Sequence, residues 1–259
     1  MANLIKMDLY RLLRSKLFWI LNGVVLFLSV AFTVLGFVIS NIFKNAEGVT
    51  YSAEVKFSSL LSSPIEQIFL ILVMISAVSF MYADIANGYI KNIAGQLTNK
   101  GNTVISKFIV IGIHNFAFMF FGFLGNTLSE FCIRKVVFDS MIAYGLATFV
   151  IKWLLLMSMS SLVLFFSTGL KNKTVASVIG VLFSSGLLAL VYMGLNVGIA
   201  NVFKTDKFDI SSYMPDQLFG NTMATTLNAT AFNAIIVSLV VSGVFLFFTV
   251  KIFNNSDVK

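Results

Sequence analysis

YADIANGYIKNIAGQLTNKGNTVISK, residues Tyr82–Lys107, is a long polar interval with a strongly apolar run on each side. It has a helix-like register, Gly88, an Asn99-Lys100-Gly101 turn and three lysines, Lys91, Lys100 and Lys107. A polar connection of this length between two such runs marks them as separate membrane crossings. It is read as the loop that faces the cytoplasm.

Composition agrees. Of 259 residues, 58% are hydrophobic and only 11% charged, and Phe alone contributes 28. A soluble domain carries roughly 25% charged residues. Six apolar runs reach the ~20 residues needed to cross ~30 Å of hydrocarbon. They are expected near Phe18–Phe43, Ile65–Ala83, Phe108–Leu128, Ala143–Thr168, Thr174–Ala200 and Ala231–Phe253. Each is expected as a helix, because lipid offers no partner to an open backbone. The expected fold is therefore an all-α membrane protein, one transmembrane domain over residues 1–259 with six spans. The first run is longer than the 7–15 residues of a signal h-region and leads into Asn41–Lys44 with no cleavage site, so it is expected to remain as a span.

Lys and Arg set the orientation. With six spans, Lys6, Arg11, Arg14, Lys16, Lys91, Lys100, Lys107, Lys171, Lys173, Lys251 and Lys259 share one side. Lys44, Lys56, Arg134, Lys135, Lys204 and Lys207 lie on the other, among most of the acids. The positive-inside rule places both termini in the cytoplasm of a multi-pass protein. A net charge of +7 then reflects topology and contact with membrane lipid head groups, with no nucleic acid required. Within residues 1–17, Ile5, Leu9, Leu12 and Leu13 recur on one helical face, with Lys6, Arg11 and Arg14 elsewhere on the wheel. This pattern predicts an amphipathic helix lying in the interface.

Catalytic chemistry has little to stand on. The chain has one His, His114, and one Cys, Cys132, which supply no conventional metal site and no intrachain disulfide. No GxSxG elbow occurs. Gly169-Leu170-Lys171-Asn172-Lys173-Thr174 lacks the spacing of a phosphate loop and reads as a short turn between spans. The chain is expected to be no enzyme by itself, with no catalytic residue, no bound metal and no cofactor.

Polar residues inside the spans are the exceptions that matter. Lys152 lies in the outer half of the fourth span, placed either to face a pathway or partner or to snorkel. His114 and Asn115, in the inner half of the third span, are candidates for the pathway or for helix–helix hydrogen bonds. Ala176, Gly180 and Ser184 form a small-residue stripe suited to close packing. Residues 45–64 and 129–142 read as modest connections. Residues 201–230 mix Phe203, Phe208, Ile210, Tyr213, Met214, Leu218 and Phe219 with polar residues and are broken by Pro215 and Gly220. Short re-entrant-like helices, dipping into the outer head groups or capping an exit path, fit that mixture.

Six spans, cytoplasmic termini, a basic interfacial helix, a long loop between spans two and three and a re-entrant-like segment between spans five and six resemble the ABC-2 type permease family. The order Asp84, Gly88, Lys91, Gly101, Lys107 matches that family's run from the second span through a cytoplasmic coupling helix to the third. Leu97-Thr98-Asn99-Lys100 stands where the family often has Pro and Arg. The version ANGYIKNIAGQ is similar to Gram-positive permeases that handle bacteriocins, lantibiotics or other amphipathic peptides. Tyr213-Met214-Pro215 sits where these often carry an aromatic-x-Pro.

The resemblance implies a half-transporter in a bacterial cytoplasmic membrane. It would pair with a second copy or a related permease, above a separate cytoplasmic ABC ATPase dimer that holds ATP and Mg. The 84–107 arm would contact that ATPase through Asp84, Gly88, Tyr89, Ile90, Lys91, Ile93 and Lys100. Tyr213 and Pro215 would form an external gate. Walls of Phe, Leu, Met and Ser suit export of an amphipathic or antimicrobial peptide. Two alternatives keep the same architecture: a non-transporting immunity or sensor protein that binds a peptide, and an exporter of a lipid, drug or other hydrophobic substrate. A secondary transporter fits poorly, since there is no internal repeat and no mid-membrane carboxylate.

Overall fold

The computed structural model describes residues 1–42, 54–86, 100–170, 172–203, 209–222 and 229–255. Among the described residues, five helical stretches are long and apolar enough to cross a membrane, and a bent pair of helices makes a sixth candidate. This is an all-α protein of membrane-embedded character.

Helix α1 (Ala2–Arg14) is separated from α2 (Lys16–Ile42) by one extended residue, Ser15. The Ser15 hydroxyl accepts the Phe18 N–H at 3.1 Å and so caps the new helix. Leu12 is buried with Phe18 and Val110, and Ile5 and Leu9 pack against them. Leu13, expected on that face, is instead exposed. The residue that joins the buried face is Asp8.

The connection before the second span is more ordered than expected. Strand β1 (Glu54–Lys56) leads into helix α3 (Phe57–Ser62), and a 3₁₀ turn (Gln67–Phe69) opens α4 (Leu70–Ala86). The third span, α5 (Gly101–Ile133), is followed by strand β2 (Lys135–Val137) and then α6 (Ile142–Leu170). The two strands pair in parallel, Glu54 opposite Lys135, Val55 opposite Val136 and Lys56 opposite Val137. Asp139 accepts from the Ser58 hydroxyl at 2.7 Å and from its N–H at 3.3 Å, tying α3 to the loop after β2. Two segments read as plain connections are therefore joined to each other.

At ~1.5 Å per residue the 33 residues of α5 extend about 50 Å, beyond the hydrocarbon thickness. Glycines let its neighbours come close. A Cβ at Gly125 would stand 2.6 Å from the Leu26 carbonyl oxygen of α2, and one at Gly122 would stand 2.8 Å from that of Pro64. Helix α6 is central: 67% of its apolar window is buried, against 17% for α2 and for the last helix, α10 (Ala229–Asn255). The main core joins Val73, Met74, Phe118, Leu155, Leu156 and Ala234 across α4, α5, α6 and α10.

The fifth span departs from the single helix expected over Thr174–Ala200. Helix α7 (Lys173–Ser184) and helix α8 (Leu188–Phe203) meet at a 66° bend. Gly186 carries the break at φ +75°, a backbone state that costs glycine little. Twelve residues of α7 span only about 18 Å, so this run does not cross as one straight helix. Asn172 caps α7, its side-chain oxygen accepting from the N–H groups of Thr174 and Val175. Ala176, Gly180 and Ser184 are buried, and the Cβ of Met74 lies 3.3 Å from where a Gly180 Cβ would be, as close packing requires. A 3₁₀ turn (Ile210–Tyr213) and helix α9 (Pro215–Asn221) then precede α10, in keeping with the short helices expected there.

Candidate functional site

Two polar centres are distinct, one on α1 and α5 and the other around segment 209–221, and a few further hydrogen bonds tie α5 to α4 and α6. The first lies where α1 meets the start of α5. Asp8 is 1% exposed and Lys107 is fully buried. The Lys107 ammonium is 3.9 Å from the Asp8 carboxylate and the Arg11 guanidinium 3.7 Å, while the Ser106 hydroxyl donates to Asp8 at 2.7 Å. The Lys107 ammonium also lies 5.0 Å from the centre of the Phe80 ring of α4. A carboxylate removed from water is tolerated when charge and hydrogen bonds both compensate it, and here both are present. The group locks α1 to the first two turns of α5.

Of the residues expected to meet a partner, Lys100 sits directly before α5, its carbonyl accepting the Thr103 N–H at 3.1 Å. Asp84 lies in the last turn of α4. Gly88, Tyr89, Ile90, Lys91 and Ile93, and with them the expected coupling helix, lie outside the described residues.

His114 and Asn115 also join helices. His114 Nε2 and the Ser76 hydroxyl of α4 are 2.6 Å apart, and that hydroxyl gives its own proton to the Val73 carbonyl at 2.7 Å. The Nε2–H is then the donor. The Asn115 amide donates to the Ser160 hydroxyl of α6 at 2.8 Å. Both residues are buried, so within this chain they tie α5 to α4 and α6.

The second centre is built around segment 209–221. This segment is fastened to the turn before α4, to α8 and to α10. Asp209 caps the 3₁₀ turn, accepting from the Ser211 N–H at 3.0 Å, the Ser211 hydroxyl at 2.6 Å and the Asn196 amide of α8 at 2.5 Å. These bonds, led by the Ser211 hydroxyl, hold its carboxyl below the usual range. Asn233 of α10 donates to the Ser212 carbonyl, and Gln67, at the start of α4, donates to the Asp216 carbonyl at 3.4 Å. Leu218 and Phe219 plug into the main core. The Lys152 ammonium lies 5.0 Å from the Phe219 ring centre. Lys152 is 4% exposed, so it is covered by α9 and does not snorkel to a surface. Glu66 attracts it electrostatically.

Beneath this segment is a cavity of about 300 Å³. Ser158, Met159 and Leu162 of α6, Phe183 of α7, and Val241 and Phe245 of α10 line it. Tyr213, Met214, Pro215 and Asp216 form its cap. Tyr213 and Pro215, named from sequence as a gate, are thus brought together over an apolar chamber. Asp216, in the first turn of α9 after Pro215, is 1% exposed. Its carboxylate accepts from the Gln217 amide at 2.9 Å and more loosely from the Tyr192 hydroxyl of α8 at 3.4 Å. Burial outweighs these bonds and pushes its carboxyl above the usual range.

Asp8, Tyr192, Asp209 and Asp216 were not among the residues singled out from sequence. Asp8 left one signal: it falls between Ile5, Leu9 and Leu12 on the apolar face of an amphipathic helix, where a free charge does not belong. Asp216 follows an aromatic-x-Pro cap, but its burial depends on α8. Among the described residues, no three His, Cys, Asp or Glu side chains come together to hold a metal. No family model matches the chain, and no curated protein matches it either.

Proposed function

We propose that this chain is the permease subunit of an ATP-driven ABC-2 type exporter in a bacterial cytoplasmic membrane, with both termini in the cytoplasm. Its cargo is an amphipathic or antimicrobial peptide, and a separate ATPase dimer holds ATP and Mg. The observation that carries this reading is the apolar cavity capped by Tyr213–Asp216. Apolar and aromatic walls bind by burial, at ~25 cal/mol per Å², without demanding one hydrogen-bond pattern. Such a chamber suits an apolar side chain or tail better than an ion or a sugar.

The first polar centre supports the same reading. In it, the arm bearing Tyr89, Ile90, Lys91 and Ile93 meets the ATPase, and a push on the arm acts on α1 and α5 together through Asp8 and Lys107. Packed helices respond to such a push by shifting between discrete arrangements. A second copy, or a related permease, completes the transporter.

Inverted membrane vesicles bearing the chain and its ATPase should take up a fluorescent amphipathic peptide when given ATP. An ATPase dead in hydrolysis, or the double variant Tyr89→Ala/Ile93→Ala, should reduce uptake to background. Uptake that ignores both changes would remove the transport reading. A second reading, a non-transporting immunity or sensor protein, is favoured by the cavity's lying within one chain, since binding there needs no ATPase. Peptide protection that persists without any ATPase would select it.

A further inference from the structure

We propose that the cavity beneath Tyr213–Asp216 binds an amphiphile with one aliphatic chain and one basic group, the chain lying between α6 and α10 and the basic group beside Asp216. As a statement about cargo this rests on the transport reading above; as a statement about binding it stands alone.

The volume of about 300 Å³ is roughly twice the ~150 Å³ of an apolar cavity that accommodates benzene, which leaves room for a chain. Met159, Leu162, Val241 and Phe245 make walls without hydrogen-bonding demands, and a methionine adapts to irregular shapes. Ser158 offers no free donor, because its hydroxyl proton is already given to the Leu155 carbonyl at 2.7 Å. The ionisable groups at the cap are Tyr213, half exposed, and Asp216, which is buried.

The surroundings of Asp216 decide the head group. Its side-chain donors, the Gln217 amide and the Tyr192 hydroxyl, are both neutral. Among the described residues no Lys or Arg forms an ion pair with it, whereas Asp8 has two cations within 4 Å. A buried carboxylate with only neutral donors is left short of compensation. An ammonium supplies the missing charge, a neutral head group does not, and an anionic one adds repulsion. The expected order of affinity is therefore cation, neutral, anion, for the same chain.

The test uses the purified full chain in lipid nanodiscs with no ATPase, and equilibrium dialysis of dodecylamine, dodecanol and dodecyl sulfate against empty nanodiscs. Dodecylamine should bind saturably above the empty-disc background, at least about tenfold more tightly than dodecanol, a difference of ~1.4 kcal/mol. Asp216→Asn should remove that preference, so that dodecylamine binds no more tightly than dodecanol. Met159→Phe, which narrows the chamber, should weaken both, and a photoreactive dodecylamine should label residues of α6 and α10. Partition no greater than into empty discs, or a preference for dodecylamine that survives Asp216→Asn, or labelling confined to the lipid-facing side of α2, would overturn the proposal. Because no ATPase is present, such a failure leaves the transport reading standing. Loss of ATP-driven uptake would likewise leave a positive binding result intact.

Discussion

Asp8 and Asp216 are equally buried, each 1% exposed, yet they sit in opposite electrostatic settings. Asp8 is held by a buried lysine, an arginine and a hydroxyl. Asp216 is held by an amide and a phenol, next to a cavity. The first has cationic counter-charge within 4 Å and fastens one helix to another, with one Asp8 oxygen, Oδ1, held by charge alone and without a hydrogen bond. The second has hydrogen bonds from neutral groups and a place in the first turn of α9, but no Lys or Arg paired with it among the described residues. Burial by itself therefore does not tell a structural carboxylate from one proposed to meet a ligand. What distinguishes them is whether the protein supplies the counter-charge.

The largest expected effect attacks the paired side. Lys107→Met leaves Asp8 buried opposite an apolar chain, and breaking a buried pair in this way costs about 3–5 kcal/mol. The apparent melting temperature in detergent should fall by many degrees. The double variant Asp8→Asn/Lys107→Met should recover most of the loss, because it removes both charges. If the double variant is as unstable as the sum of the two singles, Asp8 and Lys107 do not act as a pair.

A smaller effect of opposite kind is expected at Asp216. Its folded-state pKa is raised, so its contribution to stability is fully present below the unfolded carboxylate pKa of ~3.9 and is lost as pH rises through the folded value. Wild type should therefore lose stability relative to Asp216→Asn between acidic and neutral pH. Melting curves of the two proteins from about pH 4 to 8 should show the gap opening in favour of the Asn variant. A gap that is flat with pH would mean that the carboxylate is not desolvated.

The smallest effect belongs to a pair that looks similar on paper. Glu54 and Lys135 approach to 3.2 Å across the two-stranded ladder, but their side chains are 59% and 76% exposed. Exposed pairs contribute between zero and about 1 kcal/mol. Glu54→Gln should leave the melting temperature within a degree or two of wild type, which marks the scale against which the buried carboxylates are judged.

The membrane character and most span positions were legible in the sequence for a simple reason. Lipid forces any long apolar run into a helix, so length and composition suffice for α2, α4, α5, α6 and α10. The bend at Gly186 was hidden, because Ser184-Ser185-Gly186 lies inside a run whose apolar content never drops far enough to signal a break. The pairing of β1 with β2 was hidden too. It joins residues about 80 positions apart, and three-residue strands leave no periodicity to read. Short helices in 209–221 were legible because aromatics, a proline and a glycine interrupt a polar loop. Asp8 and Asp216 were not, because the role of each is set by residues far along the chain: Ser106 and Lys107 for one, Tyr192 for the other.

The most direct measurement places Asp8→Asn and Asp216→Asn side by side in one detergent at neutral pH, with apparent melting temperatures as the readout. Asp8→Asn should lower the melting temperature by several degrees, because the carboxylate facing both Lys107 and Arg11 is removed. Asp216→Asn should leave it unchanged or raise it, because an uncompensated charge is removed. A large loss of stability for Asp216→Asn, or none for Asp8→Asn, would contradict the assignment of one buried carboxylate to the fold and the other to a ligand.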